Sequence, residues 1–418
     1  MPFDVFQQVF GLSMASNAVN NFKGTQTNLQ ARLQAVLPGL LPLLGEWAVV
    51  WGPVVWKVNP DNDKSGPDNS WYVAHNPAVR FEDGTIRPAY VLAIAGTADS
   101  EYDWPHENFW VNQVAAFDKW VAAGIKNVPE PVPGPEVAPG GTYIAMGTVN
   151  AVHTLLTVAP PPGAAAAGST LIDFFSDLPA TSTRRILTTG HSLGGALSPT
   201  IALALVTSGV LHPQEVLTFP TAGPSPGNHG FTDLFNQTFP QRLCADASAR
   251  GYQVWNLNIA NSIDIVPQAW CHISSESPAQ NLDNIPTIYG KPALSGVNIA
   301  TFLLKFQAAR SKTVYIPLQS HIVPGTPPKS PPGTMKEFLA EASKQHVQFY
   351  LDLFGIQPPP STPNEVLRRD GLVLKSGKEE IRGYPVIGRI EWVREHPEEA
   401  KAEVDAAEAR GEGKLENE

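Results

Sequence analysis

The sequence predicts an α/β protein with a mostly parallel central sheet covered by helices on both faces. Short apolar or β-branched runs alternate with stretches of helical composition through most of the chain, the pattern of strands linked by helical crossovers. One of these strand candidates runs through a tight Gly-x-Ser-x-Gly turn, Gly190 to Gly194, directly into an apolar helical stretch. With 418 residues, 43% of them apolar, the chain is long enough to bury a large core.

Taken in order, the chain opens on Met1-Pro2-Phe3-Asp4-Val5-Phe6, with no basic segment ahead of a continuous apolar run. No export signal is read there, and the cytoplasm is favoured over secretion. Residues 1–45 are read as an N-terminal extension containing a helix at 26–37. The most apolar stretch, 36–58, is interrupted by Pro38, Pro42, Glu46 and Pro53. That is a poor membrane span, because lipid offers no partners for broken backbone hydrogen bonds. It reads as a helix end followed by a strand at 47–58. Further strands are expected at 71–75, 90–95, 186–189, 215–219 and 252–259, and helices at 109–123, 148–158, 193–208, 231–235 and 335–353. Pro, Gly and Ala tracts at 126–141 and 160–169 read as surface loops.

Charge density divides the chain. Of the last 54 residues 24 are charged, against 44 of the preceding 364, and the break falls at Gln357-Pro358-Pro359-Pro360-Ser361-Thr362-Pro363. The expected organisation is a globular body over 1–357, a stiff Pro-rich linker over 358–364, and a solvated charged tail over 365–418. A small docking element built on Tyr384, Val386, Ile387, Ile390 and Trp392 is the alternative for the tail. The net charge of −10 argues against polyanionic partners such as nucleic acid. Two cysteines, Cys244 and Cys271, make at most one bridge and cannot form a disulfide framework.

The chemistry concentrates at Gly190-His191-Ser192-Leu193-Gly194-Gly195-Ala196. Between a strand and a helix this pattern is a nucleophile elbow, which exposes a serine hydroxyl on a sharp turn whose flanking positions admit only glycine. A serine is a weak nucleophile near neutral pH and needs a base, normally a histidine oriented by a carboxylate. Asp264, just after the 252–259 strand, stands where such sheets place functional groups. His272, His321, His346 and His396 follow it. His346, leading into an amphipathic helical stretch, is favoured over His321, which sits in a Pro-flanked loop. An oxyanion hole would use the backbone amide of Leu193 and a second donor from the end of the 90–95 strand, where Thr97 is the candidate.

These residues resemble the class 3 (fungal-type) triacylglycerol lipases. The resemblance rests on Gly96-Thr97, the Gly190–Ala196 elbow, Thr221-Ala222-Gly223-Pro224-Ser225-Pro226-Gly227-Asn228 with Phe231, Asp264-Ile265-Val266-Pro267, and His346 with Phe349-Tyr350, and covers roughly residues 70–356. It departs from the family where Ile94-Ala95 replaces an Arg before the glycine, and in its Pro-rich insertions and long N-terminal region. The resemblance implies an α/β-hydrolase fold and a triad of Ser192, Asp264 and His346, with Thr97 and Leu193 as oxyanion donors. It further implies acylglycerol or related lipid esters as substrates, with no metal or cofactor required. It also places a lid helix in the aromatic segment holding Tyr102, Trp104, Phe109, Trp110, Phe117 and Trp120. The competing reading of that segment is a core helix. Other esters, such as phospholipids, are the alternative substrates, and a silent lipid-binding scaffold is the non-enzymatic alternative.

Overall fold

The computed structural model describes residues 3–96, 110–179, 184–244, 251–356 and 385–410. Its centre is a seven-stranded sheet in the order β1-β2-β3-β6-β7-β11-β13. The strands β1 (Ala48–Trp56), β2 (Asn69–Arg80) and β3 (Ile86–Ile94) form an antiparallel meander. From β3 onward, β6 (Arg185–His191), β7 (Val216–Thr221), β11 (Asn258–Asn261) and β13 (Ser320–Val323) run parallel. A four-stranded antiparallel sheet lies beside it, joining β4 (Val114–Ala116), β5 (Tyr143–Ala145), β8 (Gly227–Asn228) and β12 (Tyr315–Ile316). A short ribbon pairs β9 (Arg242–Leu243) with β10 (Val254–Trp255).

The period of two along the strands sends alternate side chains into two cores. Tyr72, Ala74, Val91, Ala93, Leu187 and Leu217 face one core, whereas Trp71, Val73, Leu92, Ile94, Ile186 and Val216 face the other. Helix α1 (Val5–Ser16) fills the first core, where Phe6 packs on Phe219 and Trp255, and Phe10 stacks on Phe354 at 4.1 Å between ring centroids. Asp4 and Gln7 close a capping box at its start. Helix α2 (Gln26–Leu40) packs against β1. On the opposite face lie α4 (Met146–Thr157), α5 (Leu171–Ser176) and α6 (Leu193–Thr207), after the short α3 (Phe117–Ala123), with α7 (His229–Thr238) adding Phe231 and Phe235.

The structure corrects the expected helix at 109–123. Val114–Ala116 is a strand, all three residues buried against β5, and the helix begins only at Phe117. Phe117 and Trp120 face the core, with Phe117 edge-on to Phe231 at 5.2 Å, so this part of the aromatic segment is not a lid. Tyr102, Trp104 and Phe109 lie outside the described residues. The Pro-flanked loop expected around His321 is the edge strand β13, in register with β11 through Ile259 and His321. The expected strand at 252–259 divides between the ribbon strand β10 and the sheet strand β11. Both cysteines are free.

The tail read as solvated is only partly so. Helix Pro385–Glu395 buries Val386, Ile387, Ile390 and Val393 in a third core, with helix Ser295–Ala309 and helix Met335–Ser343. Helix Pro397–Ala409 folds against it, tied by an Arg389–Glu403 ion pair at 2.6 Å. The physical reason is spacing: these four apolar residues fall on one helical face although charged residues surround them. Each such side chain contributes roughly 1.5–3 kcal/mol when fully buried. Truncation after Gln357 is therefore expected to lower the melting temperature and raise dye binding to exposed apolar surface. An unchanged melting curve would show that the helix pair contributes nothing to the body.

Candidate active site

Ser192 stands between β6 and α6 with φ 61° and ψ −122°, a backbone conformation that costs a non-glycine residue about 1–3 kcal/mol. The strain is held from both sides. The Ser192 amide donates to the Thr221 carbonyl at 3.0 Å, and the Gly195 amide donates to the Ser192 carbonyl at 2.8 Å. A side chain at Gly190 would collide with the Gly194 backbone, and one at Gly194 with the Ile94 carbonyl, which is why only glycine fits around the turn. Leu193 is the first residue of α6, so its amide has no carbonyl one turn back to donate to and is available to an anion. Ser192 is fully buried, and its hydroxyl has no hydrogen-bond partner among the described residues.

Asp264 follows β11 and is also fully buried. Its Oδ1 accepts from the Val266 amide at 3.0 Å. Its Oδ2 lies 2.8 Å from His346 Nδ1 and accepts the Tyr350 hydroxyl at 3.0 Å. A carboxylate facing Nδ1 calls for the proton there, which leaves His346 Nε2 as the basic nitrogen. His346 lies on a π-helical turn, Lys344–Gln348, between helices Met335–Ser343 and Phe349–Phe354. Such a turn shifts the side-chain register within an otherwise continuous helical run. Here His346 and Tyr350, four residues apart, converge on one carboxylate oxygen.

Further groups hold this assembly. Tyr350 Oη accepts from the Asn261 amide at 2.9 Å. The Asn261 side chain donates to the Gln345 carbonyl and to Gln345 Oε1, at 3.0 and 2.8 Å. Gln345 in turn donates to the Thr326 carbonyl at 3.0 Å. His191, beside the nucleophile, approaches the His346 carbonyl through Nε2 at 2.8 Å and Thr221 Oγ1 through Nδ1 at 2.9 Å. A carbonyl only accepts, so Nε2 carries the proton and Nδ1 accepts the Thr221 hydroxyl. Burial first, and the neighbouring His346 second, push the His191 pKa well below the ordinary histidine value, in keeping with a neutral ring. The two imidazoles lie 4.8 Å apart between centroids, which places the π turn directly beside the elbow.

The structure therefore brings Ser192, Leu193, Asp264 and His346 to the carboxyl ends of the parallel strands and their following loops. Thr97 lies outside the described residues, and the last described residue before it is Gly96, two residues past the end of β3. His321 is not among the partners of the acid, since the hydrogen bonds to the Asp264 carboxylate come from His346, Tyr350 and Val266. His396 sits in the C-terminal helix pair, stacked on Trp392. The sequence reading missed the roles of Tyr350, Asn261, Gln345 and His191. Of these, only Tyr350 carried a usable signal, as a polar aromatic one helical turn after the base.

His272, the remaining histidine after Asp264, is buried. Its pKa is held down to about 4, chiefly by burial and then by Lys305. In the unfolded chain it would take up a proton below about 6.5, whereas in the fold it stays neutral until about 4. Stability is accordingly expected to fall as pH drops from 6.5 toward 4, with this group's share of the loss levelling off below that. Denaturant unfolding across this range should show a shallower slope for His272→Gln than for the wild type. Parallel slopes would remove His272 from the acid response.

Residues 91–272 match the family model described as Lipase (class 3). A comparison with curated proteins found no match. Among solved structures, the chain is similar to M37 lipase at 23% identity, with a TM-score of 0.61 over 88% of this chain and 98% of that one. It is also similar to the lipase from Rhizopus microsporus var. chinensis, at 14% identity and a TM-score of 0.33 over 63% of this chain and 69% of that one. Lipase II from Rhizopus niveus gives 17% identity and 0.32 over 63% and 74%. The M37 lipase likeness shows the α/β-hydrolase fold, and the family match runs from the end of β3 through the elbow and the Asp264 turn. The family resemblance thus rests on residues 91–272, the segment that carries the elbow and the Asp264 turn.

Proposed function

We propose that the protein is a serine carboxylester hydrolase, a lipase that cleaves acylglycerol esters through an acyl-enzyme on Ser192. The observation that carries this is the buried Asp264–His346 hydrogen bond beside a strained serine elbow. His346 Nε2 takes the Ser192 proton as Oγ attacks the ester carbonyl carbon. The resulting oxyanion is held by the amides of Leu193 and Thr97. Collapse breaks the bond to the alcohol oxygen, which leaves with the proton from His346, and the acyl group stays on Ser192. Water then gives a proton to His346 and attacks the acyl carbon. The second intermediate releases a carboxylic acid and restores the serine. Asp264 holds the ring in the required tautomer and stabilises its cationic form, and Tyr350 holds Asp264.

Ser192 and His346 are both fully buried, so a long acyl chain reaches them only after the surrounding structure opens. A lipid–water interface would favour that opening by offering the exposed apolar groups a new partner. No helix among the described residues is long and apolar enough to cross a membrane. The test combines a fluorophosphonate probe with a glyceride ester titrated through its solubility limit. Labelling at Ser192 and a rise in rate as emulsion forms are expected. An absence of labelling would end the serine-hydrolase reading, and a smooth saturation curve through the solubility limit would end the interfacial part.

A further inference from the structure

Ser192 and His346 come from distant segments of the chain, and a short run of hydrogen bonds joins them without passing through Asp264. His191 and Thr221 are register partners on β6 and β7, so their side chains leave the sheet on the same face. That face is the one covered by α1. The Thr221 carbonyl accepts the Ser192 amide at 3.0 Å. The Thr221 hydroxyl donates to His191 Nδ1 at 2.9 Å, and His191 Nε2 donates to the His346 carbonyl at 2.8 Å. The path from nucleophile to base is thus three hydrogen bonds long, through one strand neighbour and one imidazole. Phe10 and Tyr350 meet the His191 ring edge-on, at 6.3 and 4.9 Å between centroids, and hold its plane.

We infer that His191 and Thr221 are positioning residues that set the distance between the Ser192 hydroxyl and the basic nitrogen of His346, an inference that rests on the acyl-transfer reading above. Asp264 does not do this by itself. Its bond to Nδ1 fixes the tautomer and tilt of the imidazole, but its carboxylate is bonded to Val266, His346 and Tyr350 and not to the elbow. The backbone of the base needs its own anchor. His346 lies on a turn in which the Phe349 amide donates five residues back, to the Lys344 carbonyl, rather than four. Such a turn departs from the regular helical ladder, and an outside bond to one of its carbonyls sets where it sits. A proton passes from Ser192 to His346 only across a hydrogen bond of about 2.6–3.2 Å. The chemistry therefore demands one fixed spacing between elbow and π turn, and the tie through Thr221 and His191 supplies it. Its direction is fixed as well, because a threonine hydroxyl has a single proton to give, and a neutral imidazole takes one hydrogen bond and gives one.

The test compares two pairs of variants. Thr221→Val and His191→Phe keep the approximate shape and remove the side-chain bonds, whereas Thr221→Ser keeps the hydroxyl and His191→Gln keeps a donor near the place of Nε2. Turnover is expressed per site titrated to completion with a fluorophosphonate, and read with KM, the pH profile of kcat/KM and the melting temperature. Thr221→Val and His191→Phe are expected to lose about tenfold to a hundredfold in kcat, since small misplacements of a catalytic group cost that much. KM should change less than about threefold, because the tie acts on proton transfer rather than on substrate binding. Thr221→Ser should recover most of the loss seen in Thr221→Val, and His191→Gln most of that in His191→Phe. The acid limb of the profile should keep its midpoint, because the base is displaced while its basicity is not. A lowered melting temperature with full kcat per titrated site would overturn the inference, leaving His191 as a buried structural histidine. A displaced acid limb at full limiting kcat would overturn it equally, since His191 would then act on the charge of His346 and not on its place. If His191→Phe does not fold, the Thr221 pair decides alone. Ser192→Ala is run in parallel. If it is inactive while the other variants keep full kcat, the inference alone fails; if it is active, the acyl-transfer reading beneath it fails.

Discussion

Ser192→Ala is expected to lower ester turnover by about three to six orders of magnitude while leaving the melting temperature unchanged or slightly raised. The loss follows from chemistry, because no other group at the elbow can carry the acyl chain. The retained stability follows from the hydrogen bonds. Among the described residues the Ser192 hydroxyl has no partner although it is fully buried, so removing it breaks no bond. A buried polar group without a partner costs about 1–3 kcal/mol, and alanine relieves part of that. The backbone strain remains, since φ 61° is imposed by the glycines and by the Thr221 carbonyl rather than by the side chain. Turnover of a glyceride ester and a thermal melt on the same preparation check both halves. Activity near wild type would move the nucleophile elsewhere.

How much of this was legible in the sequence depended on whether a physical pattern repeats locally. The strands β1, β2, β3, β6 and β7 were readable because each is a compact apolar run between turn residues. The elbow was readable because its two glycines and serine fall within five consecutive residues, although the steric demand on Gly194 comes from the distant Ile94 carbonyl. Helix α1 was missed for the opposite reason: nearly every residue in it is buried, so no polar face marks its period. Strand β13 was missed because it is only four residues long, Ser320–Val323, with a single adjacent apolar pair, Ile322 and Val323, and stands beside Pro324. The helix Pro385–Glu395 was hidden by charge, although Val386, Ile387, Ile390 and Val393 are spaced as one helical face. At the site, Ser192 and Asp264 are marked by local motifs, whereas His191 and Gln345 act through contacts between distant segments that no local pattern records.

His346→Ala is expected to fall nearly to the level of Ser192→Ala, while His321→Ala keeps most of its activity. Both histidines follow Asp264 in the chain, and only geometry separates them. His346 Nδ1 is 2.8 Å from Asp264 Oδ2, and its ring is fully buried beside the His191 ring. Its backbone carbonyl is held by His191, and Gln345, its neighbour on the π turn, is tied to Asn261. A base fixed by this many bonds meets the requirement for a reproducible proton transfer. His321 is half-buried on an edge strand, and the oxygens of Asp264 are already engaged by Val266, His346 and Tyr350. Removing His346 also leaves Asp264 buried with fewer donors, so this variant, unlike Ser192→Ala, is expected to melt at a lower temperature. The double variant Ser192→Ala/His346→Ala should lose little more activity than either alone, because the members of one catalytic unit are not additive. The decisive comparison is initial rate per folded protein for the two histidine variants at one pH. An inactive His321→Ala beside an active His346→Ala would transfer the base to β13 and leave the Asp264–His346 bond as a purely structural tie.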